Sequence, residues 1–241
     1  MDQSHLAANW ADIQRRVADA CRAAGRDPAE VNVLPVSKTF GVDVVREAMA
    51  LGLTRFGENK VQEIRDKARA LANAHLDWVM IGHLQTNKAK EVARYASEVQ
   101  SLDRPELAAA LDHRLQMEGR AIDVLVQVKT STEDTKYGLP PAELPGFLDS
   151  LAGYGTLRVR GLMTLAIHTK VPEEIRACFR QLRELRDAAI GRGHHIPRLS
   201  MGMSGDFPIA IAEGATEVRI GTAIFGKRPY PDSYYWPEAP R

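Results

Sequence analysis

The chain has 241 residues, 44% of them hydrophobic, which is enough to bury a large core in one α/β barrel or in two small domains. Its 32 basic and 31 acidic residues leave a formal charge of +1, so no overall field draws it onto nucleic acid or an anionic membrane; a small, locally held ligand is expected. The start, MDQSHLAANW, lacks a basic stretch followed by an apolar run, and no later stretch nears the roughly 18 apolar residues of a membrane span, so a cytoplasmic protein is expected.

Between residues 7 and 24, Trp10, Ile13, Val17, Ala20, Cys21 and Ala24 recur at helical spacing and Gly25 stops the pattern, which predicts an amphipathic helix within an N-terminal segment 1–25. Apolar runs that suit buried parallel strands then alternate with helical patterns. The first run is 31–37 with a helix over 42–50, and the second is 54–57 with a helix over 60–74. The third, 77–82, precedes a helix over 87–95, and the fourth, 98–102, precedes one over 104–117. Runs five and six are 122–128 and 157–163, with a long helix over 173–190 behind the sixth. Runs seven and eight are 198–201 and 217–220, with a helix over 206–213 between them. An open doubly wound sheet shares this alternation but needs only roughly five to seven strands. Eight runs point instead to a (β/α)₈ TIM-type barrel, read as a single domain over 1–241 with a Pro- and aromatic-rich tail at 228–241. Cys21 and Cys178 both fall in helical patterns and form neither a disulfide framework nor a zinc spacing, so reduced structural thiols and no metal are expected.

In such a barrel the active face is the carboxyl end of the strands, and phosphate is commonly held by the loops after strands seven and eight. Strand seven runs into SMGMSGD (200–206), where two glycines let backbone N–H groups approach an anion and Ser204 is placed to cap the next helix. Strand eight leads into Gly221 and Thr222, with the permanent cation Arg219 beside them. Each loop alone is an ordinary turn; together they form two halves of one phosphate site. GTAIFGKR (221–228) resembles a Walker A loop but has Arg228 where Ser or Thr must reach magnesium, and GMSG (202–205) is one residue short of a nucleophile elbow. Nucleotide hydrolysis and a nucleophilic Ser204 are therefore not expected.

Strand one ends in Lys38, whose stem follows an apolar run to the barrel mouth. A solvated strand-end lysine is the commoner outcome, but partial desolvation and a nearby cation such as Arg219 favour a neutral amine able to form an imine with an aldehyde. Asn59 suits either a hydrogen bond to a bound ring or a helix cap, and His83 either a ligand contact or a satisfied buried site. His194 and His195 lie on the amino side of strand seven and receive no role.

The segments VSK (36–38), FGEN (56–59), VQE (61–63), IGHLQTNK (81–88), LSMGMSGD (199–206) and VRIGTAIFG (218–226) resemble, in this order, the YggS/PROSC family of pyridoxal-phosphate homeostasis proteins over about residues 7–228. The family's barrel is similar to the N-terminal domain of alanine racemase. The resemblance implies that Lys38 is the Schiff-base lysine for pyridoxal 5′-phosphate, that Ser200, Ser204, Gly221 and Thr222 surround the phosphate, and that Arg219 faces the pyridine nitrogen. Asn59, His83, Met163 at the end of strand six and Gly202 complete the expected cofactor-binding set. Lys129 stands where many members carry asparagine, and Lys60 where tyrosine is frequent.

An arginine beside the ring nitrogen disfavours its protonation and makes the ring a weak electron sink, which suits racemisation or storage better than decarboxylation. Related racemases take a second base from a carboxyl-terminal domain and a partner subunit, whereas this chain stops about twenty residues after strand eight, so no catalytic residues and no efficient turnover are expected. The expected role is buffering of pyridoxal phosphate by a monomer, with delivery to apo-enzymes. One alternative is a small fold-type III racemase or aldolase using Tyr137 or His83 as base. Another is a regulatory binding module without imine chemistry.

Overall fold

The computed structural model describes residues 3–133 and 136–226, and the predicted tail at 228–241 lies outside them. Helix α1, Gln3–Ala23, buries Leu6, Ile13, Val17 and Cys21 along one stripe. The chain then alternates: β1 Asn32–Pro35, α2 Val42–Ala50, β2 Arg55–Glu58, α3 Val61–Ala70, β3 Asp77–Met80 and α4 Ala89–Tyr95. β4 Glu98–Leu102, α5 Pro105–Glu118, β5 Ile122–Gln127, α6 Leu144–Leu151 and β6 Leu157–Met163 continue it. α7 Pro172–Gly191, β7 Arg198–Ser200, α8 Phe207–Ala212, β8 Glu217–Ile220 and α9 Thr222–Phe225 complete it.

All paired strands are parallel, in the order β1-β8-β7-β6-β5-β4-β3-β2. A bridge between Val36 and Gly57, with the Ser37 N–H donating to the Gly57 carbonyl at 3.1 Å, joins β1 to β2 and closes the sheet into the expected (β/α)₈ barrel. Helix α1 packs on α8 and α9, where Asn9 Nδ2 donates to the Ile224 carbonyl at 3.0 Å. Arg26 just beyond it donates to the Ile211 and Ala215 carbonyls, covering acceptors left by the end of α8.

The largest departure from the sequence expectation is α6, which fills the gap left between strands five and six. No element is predicted there from the sequence; the segment carries Pro140, Pro141, Pro145 and Gly146, and Pro145 sits in the first turn, where its missing N–H costs no hydrogen bond. Helix α9 was also unforeseen, and the helix expected over 60–74 ends at Ala70, followed by a short 3₁₀ turn.

The barrel interior is polar on one side. Arg55, Glu98, Arg198 and Glu217 form a charge network at the amino end: Arg55 reaches Glu98 at 2.9 Å and Glu217 at 2.5 Å, and Arg198 reaches Glu98 at 2.9 Å and Glu217 at 3.3 Å. Gln100 donates to Glu98 at 2.7 Å and also to Glu217, and Ser200 Oγ donates to Gln100 Oε1 at 2.7 Å. This column carries polarity from the floor of the barrel toward its mouth. Among the described residues no helix is long and apolar enough to cross a membrane.

Candidate functional site

A cavity of about 990 Å³ opens at the carboxyl ends of the strands. Lys38, Asn59, His83, Ser204, Arg219, Gly221 and Thr222 line it together, so seven of the sequence-predicted residues converge from the ends of five different strands. That convergence follows from closure of the barrel, which brings the β1 end beside the β8 end.

Three predicted residues do not line it. Ser200, expected beside a phosphate, faces the barrel interior with no exposure; its hydroxyl donates to Gln100 and accepts from Arg219 Nη1 at 2.7 Å. Met163 is likewise fully buried, paired in register with Gln127 and Ser200. Gly202 shapes the loop instead: its φ of 94° lies in the left-handed region, and an added Cβ would sit 2.6 Å from Ala210 Cβ, so only glycine lets the loop lie against α8. The Gly202 carbonyl also accepts from the Arg219 N–H at 2.9 Å, tying the two loops together.

Ser204 does not cap α8. Asp206 holds the cap position, its carboxylate accepting from the Met203 N–H at 2.5 Å, and this leaves Ser204 in the cavity wall. Thr222 begins α9, where the Ile224 and Phe225 N–H groups donate to the Gly221 carbonyl at 2.9 and 3.0 Å and the Thr222 and Ala223 N–H groups precede that ladder. Two hydroxyls and nearby backbone donors thus border one side of the cavity.

Arg219 is buried and held by Ser200 and by the Thr164 carbonyl, to which Nη2 donates at 2.7 Å. Burial pushes its pKa down to about 10, against the pull of Glu217 and Asp206, so it remains a cation at neutral pH. Across the cavity His83 stacks on Tyr137 with ring centroids 3.9 Å apart, and His83 Nδ1 lies 3.6 Å from Asp103 Oδ2. Gln127 Nε2 donates to the Tyr137 carbonyl at 2.9 Å, fixing this wall to β5.

Sequence reasoning missed Lys60, Lys136, Gln127 and Met203 as lining residues. Lys60 immediately follows Asn59 and could have been read with it; Lys136 and Gln127 arrive from the β5 side, which carried no motif. Also missed was the polar cluster behind Lys38: Ser37, Glu58, Glu63 and Lys67. A carboxylate at the buried end of the short β2 was its visible signal.

A second cavity, about 850 Å³, lies at the amino ends of the strands. Its arginines are already matched, Arg55 and Arg198 with Glu98 and Glu217, and Arg158 with Asp123 at 2.6 Å. The catalytic face of a barrel is the other end, and the chemically diverse donors lie there.

The carboxyl-end donors fit a phosphorylated aromatic aldehyde: a lysine for the aldehyde, hydroxyls and backbone donors for the phosphate, and a buried arginine for the ring nitrogen. The family model of the alanine racemase N-terminal domain matches residues 1–229. A pyridoxal phosphate homeostasis protein of Pseudomonas aeruginosa is 42% identical over 228 residues, covering 94% of this chain and 97% of that protein. One from Aquifex aeolicus is 42% identical over 220 residues, covering 90% and 96%. Among solved structures, PipY of Synechococcus elongatus with pyridoxal phosphate bound superposes with a TM-score of 0.78 at 34% identity, covering 87% of this chain and all of that one.

Proposed function

The chain belongs to the alanine racemase N-terminal domain family, among its pyridoxal phosphate homeostasis proteins, and from that premise we propose that it binds pyridoxal 5′-phosphate through an imine on Lys38. The observation that carries the proposal is the meeting of Lys38, Ser204, Thr222 and Arg219 around one cavity. With the cofactor bound, the ε-amine of Lys38 would hold its aldehyde carbon as an imine, the aldehyde oxygen leaving as one water. Ser204 and Thr222 hold the phosphate with neighbouring backbone N–H groups, and Arg219 faces the ring nitrogen. When bound, the cofactor supplies an electrophilic carbonyl and a conjugated ring able to accept electron density.

Arg219 also bears on turnover. A guanidinium held by Ser200 and Thr164 opposes protonation of the ring nitrogen and so weakens the electron sink that carbanion chemistry requires. The role proposed is therefore buffering of a reactive aldehyde and its delivery to apo-enzymes. The names of the relatives, homeostasis proteins rather than enzymes, support this reading.

Titration of the purified protein with pyridoxal phosphate tests it by absorbance. Wild type should develop the visible band of an internal imine, and Lys38→Ala should not, while remaining folded. Alanine racemisation should stay at the level of free cofactor. Turnover that depends on Lys38 and survives rigorous purification would favour a catalytic role, with His83 and Tyr137 as the candidate bases.

A further inference from the structure

We propose that Glu58, Glu63 and Lys67 form a clamp that sets the turn carrying Lys38, making the two carboxylates positioning residues for imine formation. The inference rests on the reading of Lys38 as the imine lysine. Lys38 sits in a turn closed by the Phe40 N–H donating to the Ser37 carbonyl at 3.1 Å. Its two neighbours are each held from behind. Ser37 Oγ donates to Glu58 Oε1 at 2.6 Å, and the Ser37 carbonyl accepts from Lys67 Nζ at 2.9 Å. On the other side the Thr39 N–H donates to Glu63 Oε2 at 2.7 Å. Lys67 joins the two anchors, reaching Glu58 at 2.6 Å and Glu63 at 3.4 Å.

Two further observations separate this cluster from an ordinary ion pair. Thr39 is β-branched yet adopts a φ of 71°, a left-handed conformation that such residues avoid and that persists only where surrounding contacts impose it. The Glu63 bond to its N–H is such a contact, and it lies one residue from the reacting amine. Glu58 is also fully buried with Oε2 unpartnered, an arrangement that packing alone does not favour. Burial pushes Glu58 up to about 7, with Glu63 adding to the rise and Lys67 and Ser37 opposing it. Glu58 and Glu63 reach the turn from β2 and the first turn of α3, so elements remote in sequence fix the backbone on both sides of Lys38. Fixing the backbone from which the attacking amine extends lowers part of the entropic cost of its addition to the aldehyde.

The test uses the full chain with two probes. Pyridoxal phosphate forms the imine, read by absorbance; pyridoxamine 5′-phosphate keeps the ring and phosphate but has no aldehyde, and its binding is read by calorimetry. Glu63→Ala removes the acceptor for the Thr39 N–H and should weaken imine formation about tenfold, the equivalent of one hydrogen bond. Pyridoxamine phosphate affinity should stay within about twofold of wild type, because the clamp does not touch the phosphate loops. Glu63→Gln, whose amide oxygen can accept the same N–H, should recover most of the loss. Equal losses for both probes, no loss of imine formation, or no recovery in Glu63→Gln would each overturn the clamp. If Glu63→Ala does not fold, the two probes are compared on Ser37→Ala, which removes only the hydroxyl held by Glu58: selective loss of the imine supports the clamp, and equal losses or none overturn it. Absence of the imine in wild type would instead overturn the reading of Lys38 itself.

Discussion

Two buried charge clusters stand behind residues of the cavity, one in the barrel interior below Arg219 and one behind Lys38, and they are built on opposite principles. In the barrel column, Glu98 and Glu217 face Arg55 and Arg198, and all four carboxylate oxygens accept hydrogen bonds. In the cluster behind Lys38, Glu58 and Glu63 share one ammonium, and Glu58 Oε2 accepts none. Burial alone would raise Glu217, but Arg55, Arg198 and Gln100 outweigh it and hold the carboxyl below its ordinary range. Burial wins at Glu58. A buried carboxylate is thus a fixed strut or a titratable joint according to how completely its oxygens are satisfied. The strut supports Arg219 through Ser200, and the joint supports Lys38 through Ser37.

The largest expected effect breaks the strut. Glu217→Ala leaves Arg55 and Arg198 with Glu98 as their shared anion and should cost about 3–5 kcal/mol of stability in urea unfolding. A loss below about 1 kcal/mol, the scale of an exposed pair, would mean that the column is not structurally essential.

The phosphate wall comes next. Ser204→Ala or Thr222→Val alone should weaken pyridoxal phosphate binding by roughly 1.5–3 kcal/mol, one charge-assisted hydrogen bond, and the double variant should lose more. The double variant should also narrow the preference for pyridoxal phosphate over pyridoxal, the backbone donors keeping part of it. An unchanged preference would count against these two loops.

The response to pH separates the two clusters by sign, because they should oppose one another. Glu58 is raised from 4.5 to about 7, so the folded state holds its proton more tightly; its contribution to stability is full below the ordinary value and is lost as pH rises through 7. Glu217 is lowered, so its contribution is present above the ordinary carboxylate value and is lost as pH falls. The stability of wild type relative to Glu58→Gln should therefore decline between pH 4.5 and about 7. A difference that grows with pH over that interval would contradict the assignment of Glu58 as the titratable joint.

The same contrast explains what the sequence made legible. Buried parallel strands are apolar on both faces, so the eight runs and their order were readable, and barrel closure then brought most of the expected residues together. That same lack of alternation leaves the face of each residue unread, so nothing in the sequence could correct the expectation that Ser200 and Met163 bind the cofactor, although both are fully buried. Helix α6 was masked by prolines that its first turn accommodates. The support for Lys38 was hidden differently, since Ser37 and Glu58 stand 21 positions apart and no local pattern pairs them.

Lys38 is the residue on which the proposed chemistry depends, and the most direct measurement is borohydride reduction of the cofactor-loaded protein followed by peptide mapping. Reduction should leave the cofactor's mass permanently on the peptide containing Lys38. Label on Lys60 or Lys136, which line the same cavity, or on Lys88 or Lys129, would contradict the reading of the β1 turn as the covalent site.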